Sequence, residues 1–185
     1  MQRPILIIGA GLSGLTTARL LTNQGIPVIV FEQSPLDRSQ GYGITLRDWA
    51  YSPLLEDLGN LTSVRDFQQA VATDRGVNGT GWVDLTFRNN GNGDILFNPD
   101  PPKPGQMNTI FRANRSFLRN WLAEGVDVRY GHKLESLQGE PGHIKAIFEN
   151  GVLQEGSMLV AADGVHSTGK YPASRNPLVH ILICV

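Results

Sequence analysis

The N-terminal segment places a glycine-rich turn between an apolar strand and a helix. Its order is a strand over Ile5 to Ile8, then Gly9-Ala10-Gly11-Leu12-Ser13-Gly14, a helix, a second strand over Val28 to Phe31, and Glu32. With this spacing, Gly9 permits a tight turn, Gly11 lets the backbone approach a pyrophosphate, and Gly14 lets the helix lie close to the strand. The first N–H groups of the helix, at Leu12 and Ser13, would face the anion with the helix dipole behind them. The segment therefore predicts a dinucleotide-binding site.

Glu32 indicates which dinucleotide fits. Its carboxylate ends the second strand, where it can accept hydrogen bonds from both hydroxyls of an adenosine ribose. A 2′-phosphate would be repelled, so FAD or NAD is favoured over NADP by a charge-assisted bond of about 1.5–3 kcal/mol. Two other interpretations are weaker. An unrelated glycine-rich turn leaves Glu32 unexplained, and a secretory signal beginning at Arg3 lacks a small-residue cleavage site.

Composition and charge exclude several classes of function. The 185 residues suffice for one domain, or one domain and part of another. With 16 basic and 17 acidic residues, the net charge of −1 gives no indication of nucleic-acid or anionic-membrane binding. The only cysteine, Cys184, cannot form an internal disulfide, and the histidines lack a second ligand at metal spacing. We therefore expect no metal site. No apolar run reaches the roughly 20 residues of a transmembrane helix, and we expect a cytoplasmic protein.

Helical and strand patterns alternate after the glycine turn. A helix is predicted over Leu12 to Gln24, and the composition of Gln33 to Thr45 favours a loop. Ser52-Pro53 is typical of the start of a helix. Alternation of apolar and polar residues from Trp82 to Arg88 predicts a strand, with Ile95 to Phe97 as its hairpin partner. This mixed order is that of an α/β fold.

The second half indicates a helix, a meander and a buried strand. Asn114 can cap the helix. Three short strands are predicted over Lys133 to Gln138, Ile144 to Phe148 and Val152 to Glu155. Met158 to Ala162 is wholly apolar, so it should be a strand of the parallel sheet that is covered on both faces. It would deliver Asp163-Gly164 to the carboxyl edge of the sheet, where ligands bind.

In combination, these segments resemble the flavin-dependent aromatic hydroxylases, the single-component FAD monooxygenases with the para-hydroxybenzoate hydroxylase fold. The resemblance covers about residues 4–167 and rests on the glycine turn, Glu32, Ile110-Phe111-Arg112-Ala113-Asn114, the meander and Leu159-Val160-Ala161-Ala162-Asp163-Gly164-Val165-His166-Ser167. It implies an α/β, Rossmann-like FAD-binding fold of three layers, with a β-meander and an incomplete substrate-side sheet. The expected domains are an FAD-binding domain over residues 1–168, with a substrate-side hairpin insertion at about 75–105, and a divergent tail over 169–185.

The resemblance implies roles for residues of the turn and for one arginine. Gly9, Gly11, Leu12, Ser13 and Gly14 would face the FAD pyrophosphate. Glu32 would bind the adenosine ribose. Arg112 corresponds to an arginine that opens a helix and touches the phosphate and ribityl region of the cofactor, as a guanidinium with several fixed donors can. The alternative for Arg112 is a surface arginine near a helix N-terminus.

Two further segments also have implied roles. Asp163 and Gly164 match the Asp-Gly motif that serves the ribityl-pyrophosphate of FAD and NAD(P)H, although Asp163 alone is also typical of a turn. Gly43 and Ile44 would lie in the loop beside the isoalloxazine, although composition alone favours a flexible turn there. Arg38 and Arg47 are weaker candidates.

The resemblance also implies a reaction. In this family NAD(P)H reduces the flavin, dioxygen adds at its C4a carbon, and the hydroperoxide gives one oxygen atom to an aromatic or similar small organic substrate. FAD carries the chemistry, while the protein positions the substrate and excludes water. No catalytic side chain is assigned.

The resemblance ends after Ser167. Gly169 and Pro172 stand where the family continues a helix, and the family's later Gly-Asp-Ala-x-His segment is absent. We therefore expect an N-terminal portion of such an enzyme, with impaired or no turnover. Two alternatives stay open. One is a non-catalytic dinucleotide-binding module that regulates or partners a full-length enzyme; the other is an NAD-dependent dehydrogenase, which would need a proton-transfer residue that the sequence does not show.

Overall fold

The chain folds into two units. Unit 1 consists of Met1–Gln40 and Leu118–Val185, and unit 2 of Gly41–Phe117. The computed structural model describes residues 2–36, 41–59, 62–83, 85–98, 110–140 and 142–164, and the backbone of 182–183. The expected boundary at residue 168 and the expected insertion at 75–105 stay predictions.

The described part of the chain contains both strands and helices. In order they are β1 (Ile5–Ile8), α1 (Leu12–Asn23), β2 (Val28–Glu32), β3 (Gly43–Arg47), α2 (Asp48–Asp57), α3 (Val64–Val71), a 3₁₀ turn (Arg75–Val77), β4 (Phe87–Arg88), β5 (Ile95–Phe97), β6 (Ile110–Asn114), α4 (Arg115–Ala123), β7 (Asp127–Tyr130), β8 (Leu134–Glu140), β9 (His143–Phe148), β10 (Leu153–Gly156), β11 (Met158–Ala161) and β12 (Leu182–Ile183). In the described ranges, no helix is both long and apolar enough to cross a bilayer.

Unit 1 is built on a parallel sheet with the strand order β12-β11-β1-β2-β7. In the central strand β1, Ile8 pairs with Phe31 of β2 on one side and with Ala161 of β11 on the other. The three strands therefore end at the same edge, where the glycine turn, Glu32 and Ala162 follow. The predicted α/β fold with a buried strand over Met158 to Ala162 is confirmed.

A three-stranded meander covers one face of this sheet. Its strand order is β10-β9-β8. The Phe148 ring of β9 lies 4.4 Å from the Phe31 ring of β2, centre to centre. These two residues share a buried cluster with Leu6, Ile8, Ile29, Ile144, Ala146, Leu159 and Ala161. Because side chains of a strand alternate between faces, Ile7 and Val30 point to the opposite face, and α1 contacts β1 and β2. The helix, the parallel sheet and the meander form the three expected layers.

Unit 2 contains a short antiparallel pair, two helices and a hairpin. β3 pairs with β6 along its whole length, from Gly43 opposite Asn114 to Arg47 opposite Ile110. The rings of Tyr51, Phe67 and Phe111 form a buried cluster with centre-to-centre distances of 5.4–5.9 Å. The predicted hairpin is present as β4 and β5.

Three local predictions in unit 2 are wrong. The loop predicted through Thr45 is strand β3, because β6 supplies hydrogen-bond partners that no local pattern shows. The helix predicted to begin at Ser52-Pro53 is α2, which begins at Asp48 and contains Pro53 in its interior. The strand predicted from Trp82 covers only Phe87–Arg88, and Trp82 makes an isolated bridge to Phe111.

Removing a ring from the cluster between the two sheets should destabilise the chain. We expect Phe148→Ala to lower the free energy of unfolding by about 3–5 kcal/mol, because Phe148 is fully buried and its loss leaves a cavity. Phe97→Ala is the control, since Phe97 is 58% exposed, and should change it by less than about 0.5 kcal/mol. Urea denaturation measures both. Similar losses would contradict the assignment of this cluster as the core.

Candidate functional site

The turn after β1 requires glycine at its first position. Gly9 has φ +103°, a conformation that L side chains rarely adopt. Its N–H donates to the carbonyl oxygen of Phe31 at 2.7 Å. A Cβ at Gly9 would collide with the backbone carbonyl of Ala162. Glycine is therefore needed both for the turn and for the close approach of the chain after β11.

The other two glycines of the turn meet different requirements. A Cβ at Gly14 would collide with the carbonyl oxygen of Gly9, so Gly14 allows α1 to pack on the turn. A Cβ at Gly11 would meet nothing within 4 Å. Nothing within the described fold requires glycine at position 11 for lack of space. The opening above it fits a phosphate group that must approach bare backbone.

The N-terminus of α1 presents backbone donors. Gly11 is the N-cap residue and has no side chain to cap the helix. The first i→i−4 bond runs from the N–H of Leu15 to the carbonyl of Gly11 at 3.0 Å. The N–H groups of Leu12 and Ser13 precede that bond, so helix geometry leaves them to an external acceptor. Together with the helix dipole, they suit a pyrophosphate.

Glu32 is tied to the glycine turn by its carboxylate. Oε2 accepts from the N–H of Ala10 at 2.8 Å, and Oε1 accepts from the N–H of Ser34 at 2.9 Å. A carboxylate has about four acceptor positions, so capacity is left for a ribose hydroxyl. The predicted acid therefore lies at the sheet edge beside the turn, as ribose binding requires.

The surroundings of Glu32 favour its ionised form. Partial burial alone would raise its pKa above the usual 4.5. The N–H groups of Ser34 and Ala10, the Ser34 hydroxyl and the positive charge of Arg119 outweigh burial, and the pKa is lowered. Glu32 is thus an anion throughout the neutral range.

Arg119 contacts the same turn and carries no sequence signal. Its Nε donates to the carbonyl oxygen of Ala10 at 2.8 Å, and its guanidinium carbon lies 5.7 Å from the centre of the Tyr130 ring. The contact joins residues 109 positions apart. Local sequence patterns could not have predicted this contact, because the sequence around a half-buried arginine on a helix does not differ from that around a solvent-exposed arginine.

Asp163 and Gly164 follow β11 at the same sheet edge. The N–H of Ala162 donates to the carbonyl of Ile8 at 2.8 Å, which brings this segment beside β1. A Cβ at Gly9 would lie 3.0 Å from the Asp163 Cα. Gly164 has φ +86°, and a side chain there would be strained. Unit 1 therefore brings together the glycine turn, Glu32 and the Asp-Gly pair.

The remaining predicted site residues lie in unit 2. Gly43 and Ile44 belong to β3, opposite Asn114 and Ala113. Arg112 lies in the middle of β6, with an exposed side chain, rather than at the start of a helix as expected. The helix starts at Arg115, because Asn114 Oδ1 accepts from the N–H groups of Ser116 and Phe117 at 2.9 and 3.3 Å.

Arg115, the first residue of α4, contacts Tyr42. Arg115 donates its backbone N–H to the carbonyl of Tyr42 at 3.0 Å, and its guanidinium carbon lies 5.6 Å from the centre of the Tyr42 ring. Of the weaker candidates, Arg47 is the N-cap residue of α2, and Arg38 lies outside the described residues. Among the described residues, no group of His, Cys, Asp and Glu could hold a metal ion.

Comparison with known proteins decides the family. Residues 2–173 match the family described as FAD binding domain. The chain belongs to this family of FAD-dependent monooxygenases. This confirms the resemblance found in the sequence and FAD as the cofactor, which the open cradle above Gly11 and the Glu32 carboxylate fit.

The relatives are fungal enzymes, and most are longer than this chain. The FAD-dependent monooxygenase adaC of Aspergillus niger is 55% identical to this chain over 172 residues. The aligned region covers 91% of this chain and 41% of adaC. The FAD-dependent monooxygenase nscC of Trichophyton equinum is 54% identical over 171 residues. That aligned region covers 90% of this chain and 94% of nscC. The chain thus spans about two fifths of the first relative and nearly all of the second.

A solved structure supports the fold. The crystal structure of CtdE in complex with FAD and substrate 4 superposes with a TM-score of 0.67 at 20% identity, over 91% of this chain and 39% of that one. At this identity, the likeness establishes the fold alone.

The two glycines inside the turn should respond differently to one methyl group. Gly14→Ala should lower the free energy of unfolding by about 1–3 kcal/mol, because the Cβ collides with backbone. Gly11→Ala should cost less than about 1 kcal/mol, yet it should weaken FAD binding tenfold or more, about 1.4 kcal/mol, because the methyl occupies the phosphate space. Denaturation and FAD fluorescence quenching measure the two effects. Equal destabilisation would contradict these roles.

FAD affinity should follow the ionisation of Glu32. Because its pKa is lowered in the folded chain, its contribution to FAD binding should be constant above that lowered value and lost as the pH falls through it. We expect a level affinity between about pH 6 and 8 and a decline in acid. Glu32→Gln should bind FAD more weakly at neutral pH and lack this decline. Glu149→Gln, which removes an exposed partner of Lys133, is the control. An unchanged acid decline in Glu32→Gln would refute the assignment.

Proposed function

We propose that this chain anchors FAD in an NAD(P)H-dependent monooxygenase that places one oxygen atom into an aromatic or similar small organic substrate. The observation that carries the proposal is the glycine turn with Glu32 bonded to it at 2.8 Å. Family membership and the similarity to FAD-dependent monooxygenases support it. We expect it to act in the cytoplasm.

Each predicted residue has a proposed role at the cofactor. Gly9, Gly11 and Gly14, with the N–H groups of Leu12 and Ser13, would hold the pyrophosphate, and Glu32 would accept from the adenosine ribose. Asp163 and Gly164 would serve the ribityl-pyrophosphate, since they share the sheet edge with the turn. In unit 2, Gly43 and Ile44 would contact the flavin, and Arg112, whose side chain is exposed, would contact the phosphate and ribityl region.

The chemistry requires little of the protein's own acids and bases. FAD, when bound, supplies electron transfer from NAD(P)H and the activation of dioxygen. In the net reaction, Ar–H, O₂, NAD(P)H and H⁺ give Ar–OH, NAD(P)⁺ and water. The described residues bind and orient: the helix N-terminus complements the pyrophosphate charge, while Glu32 fixes the adenosine end.

A second candidate is a dinucleotide-binding module without turnover. It is favoured by the described site itself, because the glycine turn and the Glu32 carboxylate bonded to it account for dinucleotide binding and not for oxygen transfer. The module would bind FAD, or form a complex with a full-length enzyme, without oxidising NAD(P)H. Membership of an FAD family disfavours the third alternative, an NAD-dependent dehydrogenase.

One experiment separates the candidates. The purified chain is loaded with FAD, and NADH or NADPH oxidation and oxygen consumption are followed with a panel of phenolic substrates. Substrate-dependent consumption of oxygen with formation of hydroxylated product supports the monooxygenase. Tight FAD binding without oxygen consumption supports the module. Failure to bind FAD by calorimetry, with the fold intact by circular dichroism, would refute both.

A further inference from the structure

We infer that Arg119 is a positioning residue of the FAD site, which holds Ala10 and the Glu32 carboxylate in the arrangement that receives the adenosine ribose. The inference rests on FAD as the cofactor and goes beyond the glycine turn and the acid. All of the groups concerned belong to unit 1.

Ala10 is held from both sides. Its N–H donates to Glu32 Oε2 at 2.8 Å, and its carbonyl oxygen accepts from Arg119 Nε at 2.8 Å. Ala10 is 1% exposed, so its polar groups have little access to water and need these partners. The buried Ala10 therefore links Arg119 to Glu32 within the glycine turn.

The sheet brings the same two side chains together by an independent route. Glu32 of β2 pairs in register with Tyr130 of β7, and paired residues of neighbouring strands share a face of the sheet. The guanidinium of Arg119 lies over the Tyr130 ring. The geometry thus places a positive charge on the side of the sheet to which Glu32 points.

Two other charged or titratable groups near the end of β2, Arg129 and His132, lie on the opposite face from Glu32. The guanidinium carbon of Arg129 lies 5.7 Å from the centre of the Phe31 ring. The His132 ring packs edge-on against Phe31 and Phe148, which lie on the meander side. Phe31 and Glu32 are adjacent in a strand and so point to opposite faces. His132 contacts Glu32 through its backbone N–H, which donates to the Glu32 carbonyl at 2.9 Å.

Arg119 also keeps donor capacity for the ligand. A guanidinium has five N–H donors, and the described contacts use one of them in a hydrogen bond, Nε–H to Ala10. Its terminal amino groups have no hydrogen-bond acceptor among the residues that the structure describes. Arg119 can therefore support the turn while those groups stay available at the FAD site.

The chain offers a closely matched control. Arg19 of α1 donates to the carbonyl oxygens of Trp121 and Glu124 and lies 5.4 Å from the centre of the Trp121 ring. Like Arg119, it combines a backbone carbonyl with an aromatic ring, and its described contacts do not include the glycine turn or Glu32. Arg19→Gln therefore reports what the loss of a packing arginine does to unit 1.

The test measures the Glu32 carboxyl without requiring bound FAD. The side-chain carboxyl ¹³C signal of Glu32, assigned by its absence in Glu32→Gln, is titrated in the wild type, Arg119→Gln, Arg119→Lys and Arg19→Gln. We expect the pKa of Glu32 to rise in Arg119→Gln, to be largely restored in Arg119→Lys, and to stay unchanged in Arg19→Gln. An unchanged pKa in a folded Arg119→Gln would overturn the inference. If that variant does not fold, Arg119→Lys decides: it keeps the charge but loses the Nε contact with Ala10, so the amide hydrogen of Ala10 should exchange with solvent faster than in the wild type, and an unchanged exchange rate would overturn the inference.

FAD affinity gives the second measurement. We expect Arg119→Gln to weaken FAD binding roughly tenfold at neutral pH and to move the acid decline to higher pH. A loss of the same size in Arg19→Gln, without a pH shift in either variant, would show that Arg119 is merely structural. If the wild-type chain binds no FAD, the cofactor assignment fails, whereas the carboxyl titration still decides whether Arg119 controls Glu32.

Discussion

The register of three parallel strands controls everything at the proposed cofactor site. Because Ile8 lies opposite both Phe31 and Ala161, the residues that follow these strands emerge side by side. The N–H of Gly9 then reaches the carbonyl of Phe31, and the N–H of Ala162 reaches that of Ile8. A slip of one residue would turn every side chain of a strand to the other face, and Glu32 would point away from the turn. The buried apolar faces of the strands that fix this register therefore also fix the binding geometry.

The site separates two kinds of charge. The N-terminus of α1 offers positive potential to a phosphate, whereas Glu32 offers negative charge to hydroxyl donors. Glu32 stays ionised despite its partial burial because backbone N–H groups of Ser34 and Ala10 stabilise the anion. Backbone donors are fixed by the fold and do not titrate, so this stabilisation persists whenever the turn is formed. In the proposed binding mode, the adenosine end of the cofactor would thus meet preorganised acceptors, and the pyrophosphate would meet preorganised donors.

Sequence patterns predicted unit 1 well because its signals are local. The glycine spacing and the wholly apolar β11 each depend on a few adjacent residues. In unit 2 the deciding interactions are distant in the sequence. β3 forms because β6 pairs with it, and α2 continues through Pro53 although proline usually marks a first turn. The mistaken position of Arg112 has the same origin, since Arg112 lies in β6 opposite Thr45 of β3.

Arg119 shows why the site itself could be predicted only in part. The residues that the motif identifies act through backbone freedom or through the end of a strand, and both leave a trace in spacing. Arg119 acts through the packing of α4 on a turn that lies 109 positions earlier in the chain, and its neighbours in the sequence are those of an ordinary amphipathic helix. The glycine motif also combines two requirements that the structure distinguishes, close backbone packing and open space for a ligand. Gly9 and Gly14 are required because backbone occupies the space of a side chain, whereas Gly11 faces open space. Of the three glycines, only Gly11 is not required by the packing of the described residues, so ligand binding is the explanation that is left for it. Gly11 is therefore the glycine of this turn that indicates function most directly.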